Sequence, residues 1–250
     1  MKAFLLGLLS VLGAVRGGSG EEVTVFAAAS LSEALTDVAR GYEQASGNKV
    51  VLNVGATSDL ARQIVAGAGA DLFFSADRAQ MDALEKAGLV RAADRVELLS
   101  NVLVVVVPAA APAPARLASP SDLASLRRIA VADPEAVPAG VYARTWLESI
   151  GLWASLRERM IPTLNVRAAL AAVESGNVDA GIVYRTDAAL SRRVRVAFAV
   201  PREQGPKIAY VLAPLAASRK AATRELFGRL VGPEARSIFE KYGFVVIAPH

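Results

Sequence analysis

The side chains that most hydrolases and metal sites use are scarce in this sequence of 250 residues. It contains no cysteine, and its one histidine is His250, the last residue. A Ser-His-Asp triad or a histidine-based metal site needs a histidine inside the fold, and thiolate chemistry needs cysteine. These chemistries are therefore disfavoured, as are disulfide scaffolds. An enzyme that pairs Ser30 with a lysine is left only as an alternative.

Small and hydroxyl-bearing residues recur where predicted strands are followed by predicted helices. Ser30 and Glu33 form the S-x-x-E pattern of a capping box, so Ser30 is expected to cap its helix. Thr57 and Ser58 occupy a second junction, where either hydroxyl could cap the helix or donate to a ligand. A helix N-terminus offers unpaired N–H groups and the positive end of the helix dipole, and both favour an anion.

Two further junctions lie in the second half of the chain. Pro134 and Pro138 fix the backbone of a loop that leads into the next helix, a setting suited to a site built from main-chain N–H groups. Asn165 is a plausible helix N-cap, and Tyr184 follows the predicted strand 180–183. Asp77 is expected to cap a helix and Asp71 to be solvated or capping, since no metal spacing accompanies these two carboxylates.

Alternating strand-like and helix-like segments predict an α/β fold in which helices cover the faces of parallel sheets. A ligand would then lie beyond the carboxyl ends of the strands or in a cleft between two units. The predicted strands are 23–26, 49–54, 71–74, 102–107, 128–132, 180–183, 194–200 and 208–212. The predicted helices are 31–45, 60–66, 79–87, 121–126, 140–149, 153–159, 166–175, 218–230 and 233–242. Trp146 and Trp153 are expected to pack in the second unit.

The N-terminus predicts export. Residues 1–20 combine a basic start at Lys2, a short apolar run and a small-residue exit, which is typical of a secretory signal peptide, with an N-terminal membrane anchor as the alternative. Without Lys2 and Arg16 the chain has 26 basic against 24 acidic residues, so its net charge falls from +4 to +2. No cluster of Lys and Arg suits a nucleic-acid backbone.

Seven segments occur in one order that strongly resembles the periplasmic molybdate-binding proteins of ABC transporters. The resemblance covers essentially the whole chain after the signal peptide, and it is carried by residues 25–31, 60–64, 70–77, 133–135 with 137–140, 166–171, 181–184 and 238–244. It departs from many relatives at Thr57 (serine there), Ala132 (glycine) and Ala136 (histidine). The resemblance does not explain why the charged residue Arg185 follows Tyr184.

The resemblance implies a two-lobed (type II) periplasmic binding protein whose chain crosses twice between the lobes. Lobe one would comprise residues 21–103 and 206–250, and lobe two residues 104–205. Molybdate, and tungstate with it, would lie in the cleft between them without any cofactor. The resemblance places the ligand contacts on main-chain N–H groups, hydroxyls and one phenol: Ser30, Thr57, Ala139, Val166 and Tyr184.

The same resemblance implies a periplasmic, monomeric receptor that delivers its anion to a membrane permease and performs no catalysis. A site made only of donors suits molybdate, which is fully deprotonated at neutral pH, and disfavours hydrogen phosphate, which must donate a proton. Two alternatives keep the fold: a receptor for sulfate or another tetrahedral oxyanion, and a domain that reports its ligand to a signalling partner.

Overall fold

A computed structural model describes residues 20–110 and 117–247. The predicted signal peptide, residues 1–20, lies outside the described residues except for Gly20. Within the described part, no helix combines the length and the apolar character that a membrane crossing requires.

The described residues form two β-sheets covered by α-helices. The strands are β1 (Glu22–Ala28), β2 (Lys49–Gly55), β3 (Leu72–Ser75), β4 (Val96–Ser100), β5 (Leu103–Pro108), β6 (Ile129–Ala132), β7 (Met160–Thr163), β8 (Ala180–Tyr184), β9 (Val194–Ala199), β10 (Tyr210–Pro214) and β11 (Val245–Val246). The helices are α1 (Ser32–Ser46), α2 (Thr57–Val65), α3 (Arg78–Lys86), α4 (Pro138–Ser149), α5 (Trp153–Leu156), α6 (Val166–Glu174), α7 (Arg185–Ala189), α8 (Ala221–Val231) and α9 (Pro233–Lys241). Short 3₁₀ turns lie at 29–31, 92–94, 120–125 and 157–159.

The first sheet has six strands in the order β11-β4-β10-β3-β1-β2. Strands β1, β2 and β3 are parallel, whereas β10 runs antiparallel to both β3 and β4, and β11 runs antiparallel to β4. Between β1 and β2, Val25 pairs with Leu52. The carboxyl ends of β1, β2 and β3 therefore lie at one edge, and the helix that follows each strand begins there.

The second sheet has five strands in the order β7-β6-β8-β5-β9. Strands β6, β7 and β8 are parallel, and β5 runs antiparallel to both β8 and β9. The α/β class and the two-lobed fold are confirmed, but the prediction of wholly parallel sheets is wrong. The chain passes from one sheet to the other near residues 101–102 and again near residues 200–209, and the antiparallel strands β5 and β10 follow these two crossings.

The buried apolar residues continue across both sheets. Phe74, Phe239 and Phe244 pack edge-to-face in the first lobe, with ring centroids about 6 Å apart. In the second lobe Trp146 is buried against Phe198, and Trp153 is half-buried with the guanidinium of Arg144 over its ring. These positions agree with the packing role predicted for both tryptophans.

Candidate functional site

Four helical segments, each following a strand, begin at one small cavity between the sheets. The 3₁₀ turn at 29–31 and α2 come from the first sheet, and α4 and α6 come from the second. The cavity has a volume of about 20 Å³, slightly more than a single water needs. All five residues predicted as ligand contacts line it: Ser30, Thr57, Ala139, Val166 and Tyr184.

Ser30 is buried, but it does not cap α1 as predicted. Its Oγ lies 2.9 Å from the hydroxyl of Tyr210, and the N-cap residue of α1 is Leu31, which provides no side-chain cap. Glu33, the other member of the predicted capping box, instead pairs with Arg167 of the opposite lobe. A local capping pattern has been overridden here by two tertiary contacts.

Thr57 is the first residue of α2 and is almost fully buried. Its Oγ1 accepts a hydrogen bond from the backbone N–H of Ala76 at 3.3 Å and does not cap the helix. Because that oxygen already accepts, its own proton is available to a ligand. Ser58 is also buried, but it lines the neighbouring mouth of the cleft rather than the small cavity.

Ala139 is the second residue of α4, directly after Pro138. Proline has no N–H, so the first main-chain donor of this helix belongs to Ala139. Gly140 lets the helix start lie against the end of β6, because a Cβ there would come within 2.0 Å of the carbonyl oxygen of Ala132. Close packing of glycine against backbone thus fixes the position of the Ala139 N–H.

Val166 is the first residue of α6, and the prediction that Asn165 caps this helix is confirmed. The Asn165 Oδ1 accepts from the N–H groups of Arg167 and Ala168, both at 3.0 Å. The cap therefore satisfies the second and third donors of the helix and leaves the first, on Val166, for a ligand in the cavity.

Tyr184 ends β8, and only about 1% of it is exposed. Its hydroxyl is buried without a hydrogen-bond partner among the described residues. Burial raises the pKa of this phenol well above its usual value, so it carries its proton at neutral pH. A buried hydroxyl that can donate and has no partner is unusual, and it points to a group that would enter the cavity.

None of the described residues that line the cavity carries a charge. The nearest charges form a network beside it: Arg167, on the first turn of α6, contacts Glu33 at 2.5 Å and Asp187 at 2.7 Å. Burial raises the pKa of the Asp187 carboxyl to about 7, and the neighbouring Arg167 opposes that shift. The guanidinium is thus held by carboxylates and does not line the anion cavity.

The other carboxylates singled out in the sequence lie outside the cavity. Asp77 caps α3 by accepting from the Gln80 N–H at 2.9 Å, as predicted. Asp71 differs from its prediction: it is buried, 2.7 Å from the Nζ of Lys220, and accepts from Ser218 and the Thr24 N–H. Within the described ranges no group of three or more carboxylates and histidines is placed to bind a metal.

Two buried residues behind Ser30 were not predicted. Asn101 lies in the first crossing between the lobes, and Tyr210 begins β10 directly after the second. Tyr210 joins Asn101 to Ser30 through its hydroxyl. Their sequence carries no local signal for such a role, because the three residues are brought together only by the two crossings.

The mouth of the cleft is a wider opening of about 460 Å³ beside the small cavity. It is lined by Ser58, Arg62, Asp133 and Ala136 among others. Ala136, one of the departures from the relatives, therefore borders the entrance rather than the enclosed space. Arg185 is exposed at the start of α7 and is not among the residues lining the cavity.

Comparison with solved structures defines the class. The fold is similar to the periplasmic molybdate-binding protein of Azotobacter vinelandii, with a TM-score of 0.78 over 90% of this chain and 99% of that one, at 23% identity. It is also similar to the sulfate-binding protein SubI of Mycobacterium tuberculosis H37Rv, with a TM-score of 0.76 over 90% and 86% of the two chains, at 20% identity. At these identities the likeness shows the fold alone, which is the two-lobed fold of periplasmic binding proteins.

The sequence comparisons then give the family. Residues 23–245 match the family model described as bacterial extracellular solute-binding protein. The molybdate-binding protein ModA of Escherichia coli K12 is 41% identical over 229 residues, which cover 90% of this chain and 89% of that protein. The chain belongs to this family of solute-binding proteins, which are not enzymes, and its resemblance to the molybdate-binding members is confirmed.

Proposed function

We propose that this protein captures molybdate, and tungstate with it, in the cavity between its lobes and delivers the anion to the permease of an ABC importer. The observation that carries the proposal is an uncharged cavity lined by helix N-termini and by Tyr184, whose buried hydroxyl has no hydrogen-bond partner among the described residues. The predicted signal peptide would export the protein to the periplasm, where it would act as a monomer.

The available groups suit a fully deprotonated oxyanion. Ser30, Thr57 and Tyr184 offer hydroxyl protons, and Ala139 and Val166 offer main-chain N–H groups. A dianion would be stabilised by the positive ends of the helices without a buried cation, which would itself lose hydration on burial. Fixed neutral dipoles thus give recognition and still permit release.

Isothermal titration of the purified protein, freed of bound anion by unfolding and refolding, tests the proposal. Molybdate and tungstate should bind with one-to-one stoichiometry, while hydrogen phosphate should give no heat. Saturating anion should also raise Tm, since a ligand that binds only the folded state adds RT ln(1 + [L]/Kd) to stability. Binding of sulfate alone would support the alternative oxyanion receptor. Silence toward every anion in a folded protein would reject the proposal and favour a sensor of another ligand.

A further inference from the structure

We propose that Asn101 and Tyr210 act as positioning residues that turn the hydroxyl proton of Ser30 toward the anion. This inference rests on the proposed function, because it requires an anion in the cavity. Neither residue lines the cavity, so their hydrogen bonds would reach the ligand through Ser30.

The orientation of the Asn101 amide is set by its surroundings. Its Oδ1 accepts from the N–H of Val102 at 2.9 Å, so the Nδ2 group must face the other way. There the two Nδ2 protons have separate acceptors, the hydroxyl oxygens of Thr186 at 2.9 Å and Tyr210 at 3.3 Å. The amide therefore presents a donor, and not an acceptor, to the Tyr210 phenol.

That donor fixes the direction of the next hydrogen bond. Tyr210 is fully buried, and burial raises the pKa of its phenol far above the usual value, so it keeps its proton. With Asn101 donating to its oxygen, the phenol directs its own proton to the Ser30 Oγ, 2.9 Å away. The Ser30 hydroxyl then accepts from Tyr210, and its proton is left to point into the cavity.

The three donors form a relay of hydrogen bonds that all point the same way, from Asn101 through Tyr210 and Ser30 to the anion. Hydrogen bonds aligned in series polarise one another, so the last donor becomes stronger. The relay also begins in a crossing segment: Asn101 contacts Tyr210 of the first lobe and Thr186 of the second. The orientation of the Ser30 hydroxyl is thereby tied to the arrangement of the two lobes.

A double-mutant cycle on molybdate affinity tests the relay. Tyr210→Phe should lower the affinity about three- to tenfold, the range of one net hydrogen bond. In the Ser30→Ala background, where no hydroxyl remains to be oriented, the same change should alter the affinity by less than about twofold. Tyr142→Phe is the matched control, because its part-buried hydroxyl accepts from the Ala209 N–H at 3.4 Å and is not in the relay.

Circular dichroism and thermal unfolding would establish that each variant is folded. If Tyr210→Phe does not fold, Asn101→Ala carries the same test, since its loss of affinity must also shrink in the Ser30→Ala background. Equal losses in both backgrounds, or no loss from Tyr210→Phe in the wild-type background, would overturn the relay while the proposed function stands. A folded wild-type protein that binds no oxyanion would overturn both.

Discussion

At the scale of single residues, Tyr184 and Tyr42 form an instructive pair of buried phenols. The hydroxyl of Tyr184 has no partner in the described part of the chain, whereas that of Tyr42 donates to the Ala222 carbonyl at 3.1 Å. A buried polar group costs free energy when it is unpaired and contributes when it is paired. The hydroxyl of Tyr184 therefore costs free energy in the ligand-free protein and would contribute only when a ligand accepts its hydrogen bond.

Tyr184→Phe should consequently separate binding from stability. We expect the affinity for molybdate to fall roughly ten- to hundredfold, the range for a hydrogen bond to a charged group. The free energy of unfolding of the ligand-free protein should stay constant or rise by up to about 1 kcal/mol. Tyr42→Phe should do the reverse, losing about 1 kcal/mol and keeping its affinity. Titration and urea denaturation measure the two effects, and a Tyr184→Phe protein that binds as tightly as wild type would contradict the assignment.

Asp187 gives a pH dependence whose sign follows from its environment. Burial raises its pKa from 3.8 to about 7, so between these values the folded state holds a proton that the unfolded state has released. The stability associated with that proton is complete below pH 3.8 and is lost as the pH rises through about 7. Relative to Asp187→Asn, wild type should become less stable across this window and level off above it. Urea midpoints of both proteins from pH 4 to 8 would show this, and a difference that grows in favour of wild type with pH would refute it.

At the scale of elements, the position of α4 depends on Gly140. A Cβ at this position would lie 2.4 Å from the Asp133 carbonyl oxygen and closer still to that of Ala132. At Gly228, inside α8, an added Cβ would meet nothing within 4 Å. Substitution by alanine should therefore change stability in opposite directions at Gly140 and at Gly228.

Gly140→Ala should destabilise the protein by about 1–3 kcal/mol, because the start of α4 must move away from β6. That movement would displace the Ala139 N–H, so molybdate affinity should fall as well. Gly228→Ala should stabilise by about 0.5–1 kcal/mol, since alanine loses less backbone entropy in a helix, and should leave the affinity unchanged. Thermal unfolding and titration distinguish them. Equal affinities for the two variants would show that the start of α4 does not contribute to the site.

The helix starts around the cavity were predictable because their signals are local. Pro138 at the first turn of α4 and Asn165 before α6 mark helix N-termini whatever the rest of the chain does. The S-x-x-E pattern at Ser30 was misleading for the complementary reason. Both of its side chains have stronger partners from distant parts of the sequence, Tyr210 and Arg167.

The elements that sequence reasoning missed are short: the strands β4, β7 and β11 and the helix α7. Strand β11 has only two residues and exists through its pairing with β4, so its own residues carry no periodic pattern. The antiparallel direction of β5 and β10 was missed likewise, because strand direction is set by the two crossings. Local composition contains no information about either.

At the scale of the whole molecule, the two lobes are joined by more than the crossing segments. Arg167 of α6 reaches Glu33 of α1 through two contacts of its guanidinium, at 2.5 and 3.2 Å, and lies 3.4 Å from the Ser30 carbonyl oxygen. These contacts bridge the cleft beside the cavity. Opening the cleft to release an anion separates the lobes, so it must break this ion pair.

Glu33→Gln should therefore speed the release of molybdate while leaving its association rate unchanged. The Glu33 side chain is 42% exposed, so the pair belongs with surface ion pairs of about 0.2–1 kcal/mol, which corresponds to a faster dissociation of up to about fivefold. Salt at about 1 M screens charges beyond roughly 3 Å, and the difference between the two proteins should shrink there.

Glu234→Gln is the control, because it breaks a comparable pair with Arg229 inside the first lobe. Stopped-flow displacement by tungstate measures the rates. A dissociation rate unchanged at low salt, or raised equally in the Glu234→Gln control, would show that this ion pair does not hold the lobes together.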